Sequence, residues 1–186
     1  ALSSSNGAFD STSVKNVYVP SIEDWFKMYF PSADANPLWT GTANLYANNT
    51  LVNKVIVPEG VTRIPNYAFY GYKKLINVTI PEGVTFISSG SLAYTSITSV
   101  TIPSTVTTIG QSAFYKSSLT TVKFAEGSKI TEIPIWAFLN TPITSINIPR
   151  SVATIGTGAF KGCASLPFID LPEGVKTIKG EAFANC

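Results

Sequence analysis

The chain has no histidine and only two cysteines, Cys163 and Cys186, in 186 residues. Without histidine, Ser-His-Asp and Cys-His catalysis, imidazole metal ligation and histidine pH switching are excluded together. Two cysteines are too few for a disulfide-framed miniprotein or a four-ligand zinc site. Charge is sparse as well: 13% of residues are charged and the net charge is +2. No strong field is available to steer nucleic acid, and the densest basic pair, Lys73-Lys74, is a loop doublet. No apolar run approaches the roughly 20 residues of a membrane span, so no direct membrane insertion is expected. The opening Ala1-Leu2-Ser3-Ser4-Ser5 has neither a basic region nor a long apolar core, so no signal peptide is visible. With 45% hydrophobic residues the chain is nevertheless too apolar to be disordered.

What the sequence does have is a repeat. Val55-Ile56-Val57-Pro58, Val78-Thr79-Ile80-Pro81, Val100-Thr101-Ile102-Pro103, Ile146-Asn147-Ile148-Pro149 and Ile169-Asp170-Leu171-Pro172 share one pattern. Val122-Lys123-Phe124-Ala125 fits with Ala in the Pro slot. Successive slots are 23, 22, 22, 24 and 23 residues apart. A second anchor follows each strand pattern: an Ile, then Ala-Phe four and five residues later. Ile64 leads to Ala68-Phe69, Ile109 to Ala113-Phe114, Ile133 to Ala137-Phe138, Ile155 to Ala159-Phe160 and Ile178 to Ala182-Phe183. Ile87 leads to a degenerate Ser91-Leu92. Leu75, Ile97, Leu119, Ile143 and Leu166 open the next strands.

The spacing carries its own physics. Alternation in Val-x-Ile turns two branched side chains inward and the middle one outward. Pro ends the strand because it has no ladder donor, and Gly in Pro-Glu-Gly suits a turn of positive φ. One coil cannot stabilise itself; stacking on neighbours supplies the missing hydrogen bonds and burial.

Read as Leu-x-x-Ile-x-Ile-Pro-x-x-Val-x-x-Ile-Gly-x-x-Ala-Phe-x-x-Cys, the pattern resembles the BspA-like, or Treponema-type, leucine-rich repeats. Ile143 through Cys163 matches it almost slot for slot. The resemblance implies a repeat solenoid: a right-handed leucine-rich-repeat superhelix, mostly β, with short parallel strands one per repeat and little helix. It also implies a cell-surface or secreted location and adhesion to host or neighbouring-cell proteins or glycans. The Cys slot departs from the pattern, holding Tyr72, Thr95, Ser117 and Thr141 before Cys163 and Cys186. Those two cysteines occupy equivalent slots of adjacent coils. They are either two small buried thiols or a disulfide.

The whole of 1–186 reads as a single leucine-rich-repeat domain. Residues 1–20 form a partial repeat, 21–52 a long variant insert, and 53–186 about six repeats of 22–24 residues. Beginning mid-repeat and ending at a repeat boundary, it is expected to be a piece of a longer surface protein, with self-association through uncapped ends a hazard. In the insert, Ser21 and Asp24 outline a capping box. Ile22, Trp25, Phe26 and Tyr29 fall on one helical face, Pro31 and Asn36-Pro37 stop the helix, and Asn48-Asn49 is placed in a hairpin turn. The insert is either a coil whose aromatics cover the hydrophobic edge or a ligand-binding protrusion with Trp39 exposed.

No catalytic constellation emerges. Most acids lie in turns, and a glycosidase needs two carboxylates about 5–9.5 Å apart in one cleft. Asp170 with Lys123 comes nearest to a polar centre and supplies one carboxylate. Neither enzyme, cofactor nor metal is expected, since there is no Asp-x-Asp run. Binding is the expected function, and a structural spacer the alternative. The leading candidate surface is the outward strand face, taken as concave: Asn77/Thr79, Ser99/Thr101, Thr121/Lys123, Ser145/Asn147 and Phe168/Asp170. A second is a convex aromatic flank of Tyr67, Tyr70, Tyr115 and Trp136. Asn48-Asn49-Thr50 and Asn77-Val78-Thr79 match the glycosylation sequon.

Overall fold

The computed structural model describes residues 8–9 and 14–186. Of the partial repeat expected over 1–20, residues 1–7 and 10–13 lie outside the described residues. From there on the chain is a β-solenoid of short parallel strands. Strands β1 (Asn16–Val19), β2 (Asn44–Ala47) and β3 (Thr50–Leu51) belong to the first part of the chain. In the repeats, β4 (Lys54–Ile56), β6 (Asn77–Thr79), β8 (Ser99–Ile102), β10 (Thr121–Phe124) and β12 (Ser145–Ile146) supply the expected strand of each coil. Their register is that of the repeat: Val55 faces Val78, and Val122 faces both Val100 and Ile146. Val55, Val78, Val100 and Val122 are thereby buried, and Ile146 half-buried, under two successive ladders, β4–β6 and β8–β10–β12.

Each coil adds a second, two-residue strand beyond the one expected. These are β5 (Arg63–Ile64), β7 (Phe86–Ile87), β9 (Thr108–Ile109), β11 (Glu132–Ile133), β13 (Thr154–Ile155) and β14 (Thr177–Ile178). All pair parallel, Ile over Ile, from Ile64↔Ile87 to Ile155↔Ile178. A third column of hydrogen bonds has no strand character. Tyr67, Phe69 and Gly71 donate their amides to the carbonyls of Ser89, Ser91 and Ala93 in the next coil, at 3.0, 2.9 and 3.0 Å. The same triplet recurs in every coil through Gly158, Phe160 and Gly162. The amides in between turn back into their own coil, Ala68 to Pro65 and Tyr70 to Tyr67.

The core is a column of side chains inside these three ladders. Phe114, Phe138, Phe160 and Phe183 stack nearly coplanar, with centroids 5.3, 5.4 and 5.4 Å apart. The degenerate coil breaks the column at Leu92, and Phe69 packs instead on Trp25 and Phe26 of the insert.

The insert acts as a lid on the first coil. Helix α1 (Ile22–Phe26) starts at Ser21, whose hydroxyl accepts from the Asp24 amide and donates to its carboxylate. The helix is shorter than expected. It ends at Lys27, Tyr29 swings out to 78% exposure, and Phe30 turns in against Trp25. Buried Trp25 donates its indole N–H to the Ala68 carbonyl, and buried Asn36 donates to the carbonyls of Tyr67 and Ala68. Two side chains thus do for the first coil what a preceding coil's amides do elsewhere. Asn48 and Asn49 hold the left-handed φ of the expected β2–β3 hairpin.

The last strand pattern fails. Ile169-Asp170-Leu171 forms no ladder. Pro167 and Pro172 remove donors at its two ends, and the Asn147 side chain accepts the Phe124 amide that a longer β12 would have taken.

Two buried hydroxyls in the degenerate coil, those of Ser88 and Ser91, have no hydrogen-bond partner. Other coils place Ala at the Ser91 slot. Ser91→Ala should therefore raise stability by about 1 kcal/mol, because it removes an unsatisfied buried donor. Phe138→Ala, which opens the middle of the stack, should cost about 3–5 kcal/mol. Urea midpoints at matched slope check both; a midpoint lowered by Ser91→Ala would contradict the assignment.

Candidate functional site

The strand face is where the repeat put it. Asn77, Thr79, Ser99, Thr101, Lys123, Ser145 and Asn147 are exposed and Thr121 is half-buried. The register aligns Lys54 with Asn77 and Ile56 with Thr79 in one sheet, and Ser99 with Thr121 and Ser145, and Thr101 with Lys123, in the next. Lys54 and Ile56 were missed, although Val55-Ile56-Val57-Pro58 carries the signal; Ile56 is 70% exposed. Phe168, at 72% exposure, and exposed Asp170 sit on the segment that forms no strand. The strand face is shallow. The hollow between Asn77–Ile80 and Ser99–Thr101 encloses about 200 Å³.

The third column carries a larger hollow, comparable in volume to the one of about 620 Å³ between Phe124–Ser128 and Asn147–Ser151. Tyr67 and Tyr70 form one wall and Tyr115, Trp136 and Leu139 the other, over a floor of Ser89, Gly90, Gln111 and Ser112. The groove encloses about 600 Å³. Along its edge runs a ladder of edge-to-face rings: Tyr67–Tyr70 at 5.9 Å, Tyr70–Tyr94 at 5.2 Å and Tyr94–Tyr115 at 5.0 Å. Lys73 stands 5.6 Å above the Tyr94 ring, and Lys116 stands 5.7 and 5.4 Å from the Tyr94 and Tyr115 centroids. Tyr94 was overlooked because it lies one slot past Tyr70 and Tyr115. Its coil has Ala93 there, and Tyr94 leans across the vacancy.

Backbone conformation explains the groove. The slot before Ala is left-handed in every repeat: Tyr67, Gly90, Ser112, Trp136, Gly158 and Glu181 have φ of 54°, 61°, 56°, 55°, 57° and 59°. So is the slot of Gly71, Tyr94, Lys116, Asn140, Gly162 and Asn185. For a residue with a side chain this region costs about 1–2 kcal/mol. Glycine is the natural occupant, yet Tyr67, Tyr94, Lys116 and Trp136 stand there. Each large ring at the first slot lies over a glycine of the next coil. A Cβ on Gly90 would come within 2.6 Å of the Tyr67 ring, and one on Gly158 within 2.8 Å of Trp136.

A family profile described as a BspA type leucine-rich repeat region, in 6 copies, matches residues 42–166 and 131–186. This chain belongs to the BspA-type leucine-rich repeat family. The solved pneumococcal vaccine antigen PcpA is 22% identical, with a TM-score of 0.63 over 87% of this chain and 41% of its own. A leucine-rich repeat protein of Eubacterium ventriosum is 22% identical, with a TM-score of 0.60 over 75% and 44%. The Treponema pallidum leucine-rich repeat protein is 29% identical, with a TM-score of 0.49 over 72% and 55%. The first two of these likenesses show the fold. The chain spans less than half the length of the first two. No curated protein matches it.

The BspA-type Cys slot has a physical definition here: a small side chain that donates to the carbonyl of a Phe-slot residue. Thr95, Ser117 and Thr141 bond the carbonyl three residues back, at 2.8, 2.8 and 2.7 Å. Cys163 and Cys186 reach the Phe138 and Phe160 carbonyls of the preceding coil, each at 3.2 Å. Both are free thiols, and only Cys163 is buried, so the pair of buried thiols is half right. Burial pushes both thiols up, countered at Cys163 by Thr141, which leaves neither activated. Trp39, expected as an exposed aromatic, is half-buried, and its N–H faces the Phe9 carbonyl at 3.4 Å. The insert is a cover. Among the described residues no cluster of His, Cys, Asp or Glu could hold a metal ion, and no helix is long and apolar enough to cross a membrane.

Burial holds the Tyr94 phenol well above its ordinary range, reinforced by hydrogen bonding with Tyr115 and Tyr70; burial also raises Tyr70. The folded chain therefore keeps these protons more tightly than the unfolded chain. Their contribution to stability is complete below about pH 10, where a free phenol ionises, and is lost as pH rises toward the folded value. Tyr94→Phe should flatten the fall in urea stability above about pH 10, and should remove the highest-pH step of phenolate absorbance. A titration unchanged by the substitution would sink this account.

Proposed function

We propose that this chain is a non-catalytic recognition module, displayed at a cell surface or secreted, that holds a protein or glycan ligand by non-covalent contact. The leucine-rich repeat fold is consistent with an interaction module, and repeats of this kind serve binding and structural roles. The observation that carries the reading is the groove of the third column. It is preformed, about 600 Å³ in volume and walled by Tyr67, Tyr70, Tyr115 and Trp136. Ligand sites are concave, mostly apolar and few per protein. By the same standard the strand-face site of Asn77 to Asp170 ranks second, being made mostly of small polar groups with no aromatic walls. The cell-surface part rests on family membership and on the likeness to a protein described as a vaccine antigen.

A structural spacer is the competing reading, favoured by the continuous third hydrogen-bond column and the two strand ladders beside it, which stiffen the array whatever its surface carries.

Presenting the chain to an array of extracellular-matrix proteins, mucins and glycans separates these readings. The array is run beside Trp136→Gly and beside Lys123→Glu with Phe168→Ser. A hit abolished by Trp136→Gly alone is the expected result and places recognition in the groove. A hit abolished by the strand-face pair alone moves the site there. The absence of any hit from folded protein removes the recognition reading in favour of the spacer.

A further inference from the structure

We infer that the groove of the third column takes an acidic saccharide, a chain of pyranose rings bearing carboxylates; this rests on the recognition reading above and names its ligand class. Three features of one surface point the same way. The walls are aromatic rings that are not buried in the core, and such rings pack against the C–H face of a sugar ring by dispersion and burial. The floor is polar and small: the hydroxyls of Ser89 and Ser112, the amide of Gln111, and Gly90 with no side chain. Such groups donate and accept, as sugar hydroxyls require.

Charge supplies the third feature. Among the described residues the groove lining contains no Asp or Glu. Among the described residues Lys73 and Lys116, at the groove's edge beside Tyr94 and Tyr115, have no carboxylate within ion-pair distance, as is true of most lysines of the chain; what sets these two apart is their place along the aromatic edge. The acid nearest in sequence to the lining is Asp34, next to Ala33, and its carboxylate is engaged by the Ser32 hydroxyl. The surface therefore offers two ammonium groups along an aromatic edge and awaits a negative partner. A proline-rich peptide would use the walls but would leave the lysines and the hydroxyl floor without a role.

The test is calorimetric titration of the intact chain with four probes: a hyaluronan octasaccharide, a neutral chitin hexasaccharide, a proline-rich peptide and a poly-glutamate peptide. Only the uronate-bearing saccharide should bind. Trp136→Gly, which gives its left-handed slot the preferred residue and so should fold, should weaken binding about tenfold or more. Lys116→Gln, on an exposed side chain, should weaken it about fivefold and reduce its dependence on salt between about 50 and 200 mM. Lys123→Glu should leave it unchanged. Equal binding of the neutral saccharide, binding of either peptide in its place, or no binding by any probe overturns the acidic-saccharide assignment. In that event a hit on the protein and mucin array still supports the recognition reading, and silence on both overturns the two together.

Discussion

Backbone hydrogen bonding between successive coils, repeated in three columns, is the constraint from which the rest of this structure follows. Neighbouring coils exchange amide-to-carbonyl bonds in both directions through the strands β4–β12, back to the preceding coil through the two-residue strands β5–β14, and forward to the next coil through the triplet that begins at Tyr67. A coil of about 22 residues has too small an interior to stand by itself, so the side chains inside must also match from coil to coil. They do so by identity: Ile over Ile in the second ladder and Phe over Phe from Phe114 to Phe183. The threonines extend this principle to the surface, where Thr85, Thr107, Thr120 and Thr144 each reach back to a carbonyl of the coil before.

Where a column ends, something must replace the missing coil. At the first coil the replacement is the insert, and its chemistry is specific. An indole N–H and a carboxamide take over the duty of a preceding coil's amide at the Ala68 carbonyl, and the carboxamide also donates to the Tyr67 carbonyl. Tyr72 joins the same patch from below, accepting from the Leu45 amide and donating to the Val52 carbonyl. This is why the Cys slot of that coil holds a tyrosine. A small thiol there could not span the distance to the insert.

Much of this was legible in the sequence, and the limits have physical causes. The Pro, Ile and Ala-Phe slots gave the solenoid, its register and the outward columns, because period-2 alternation and a fixed repeat length leave little freedom. The asparagine hairpin and the Ser21 cap were legible for the same reason, being local. The second strand was not, since two residues carry no alternation. The helix was overextended because Tyr29 kept the 3.6-residue pattern while packing favoured Phe30. Trp39 was misplaced because an aromatic in an irregular segment carries no sign of which side is covered. Four of the flank's rings could be found by slot, but Tyr94 could not, since it reaches its neighbours from an adjacent slot across Ala93.

The left-handed slots were the least legible and matter most for the candidate site. A sequence shows them only where glycine marks them, and Tyr67, Tyr94, Lys116 and Trp136 erase the mark. Stacking allows this: neighbours above and below hold each coil's path, so the ladder rather than the residue sets φ. The repeat can therefore carry bulky side chains in positions that an isolated turn would reserve for glycine. The same geometry clears the space they need, because a glycine one coil on, at Gly90 or Gly158, leaves room for the ring above it. Alternation of ring and glycine along one slot thus makes walls and gaps together. A stack built to be uniform acquires in this way a groove of defined width, without change to the backbone that supports it.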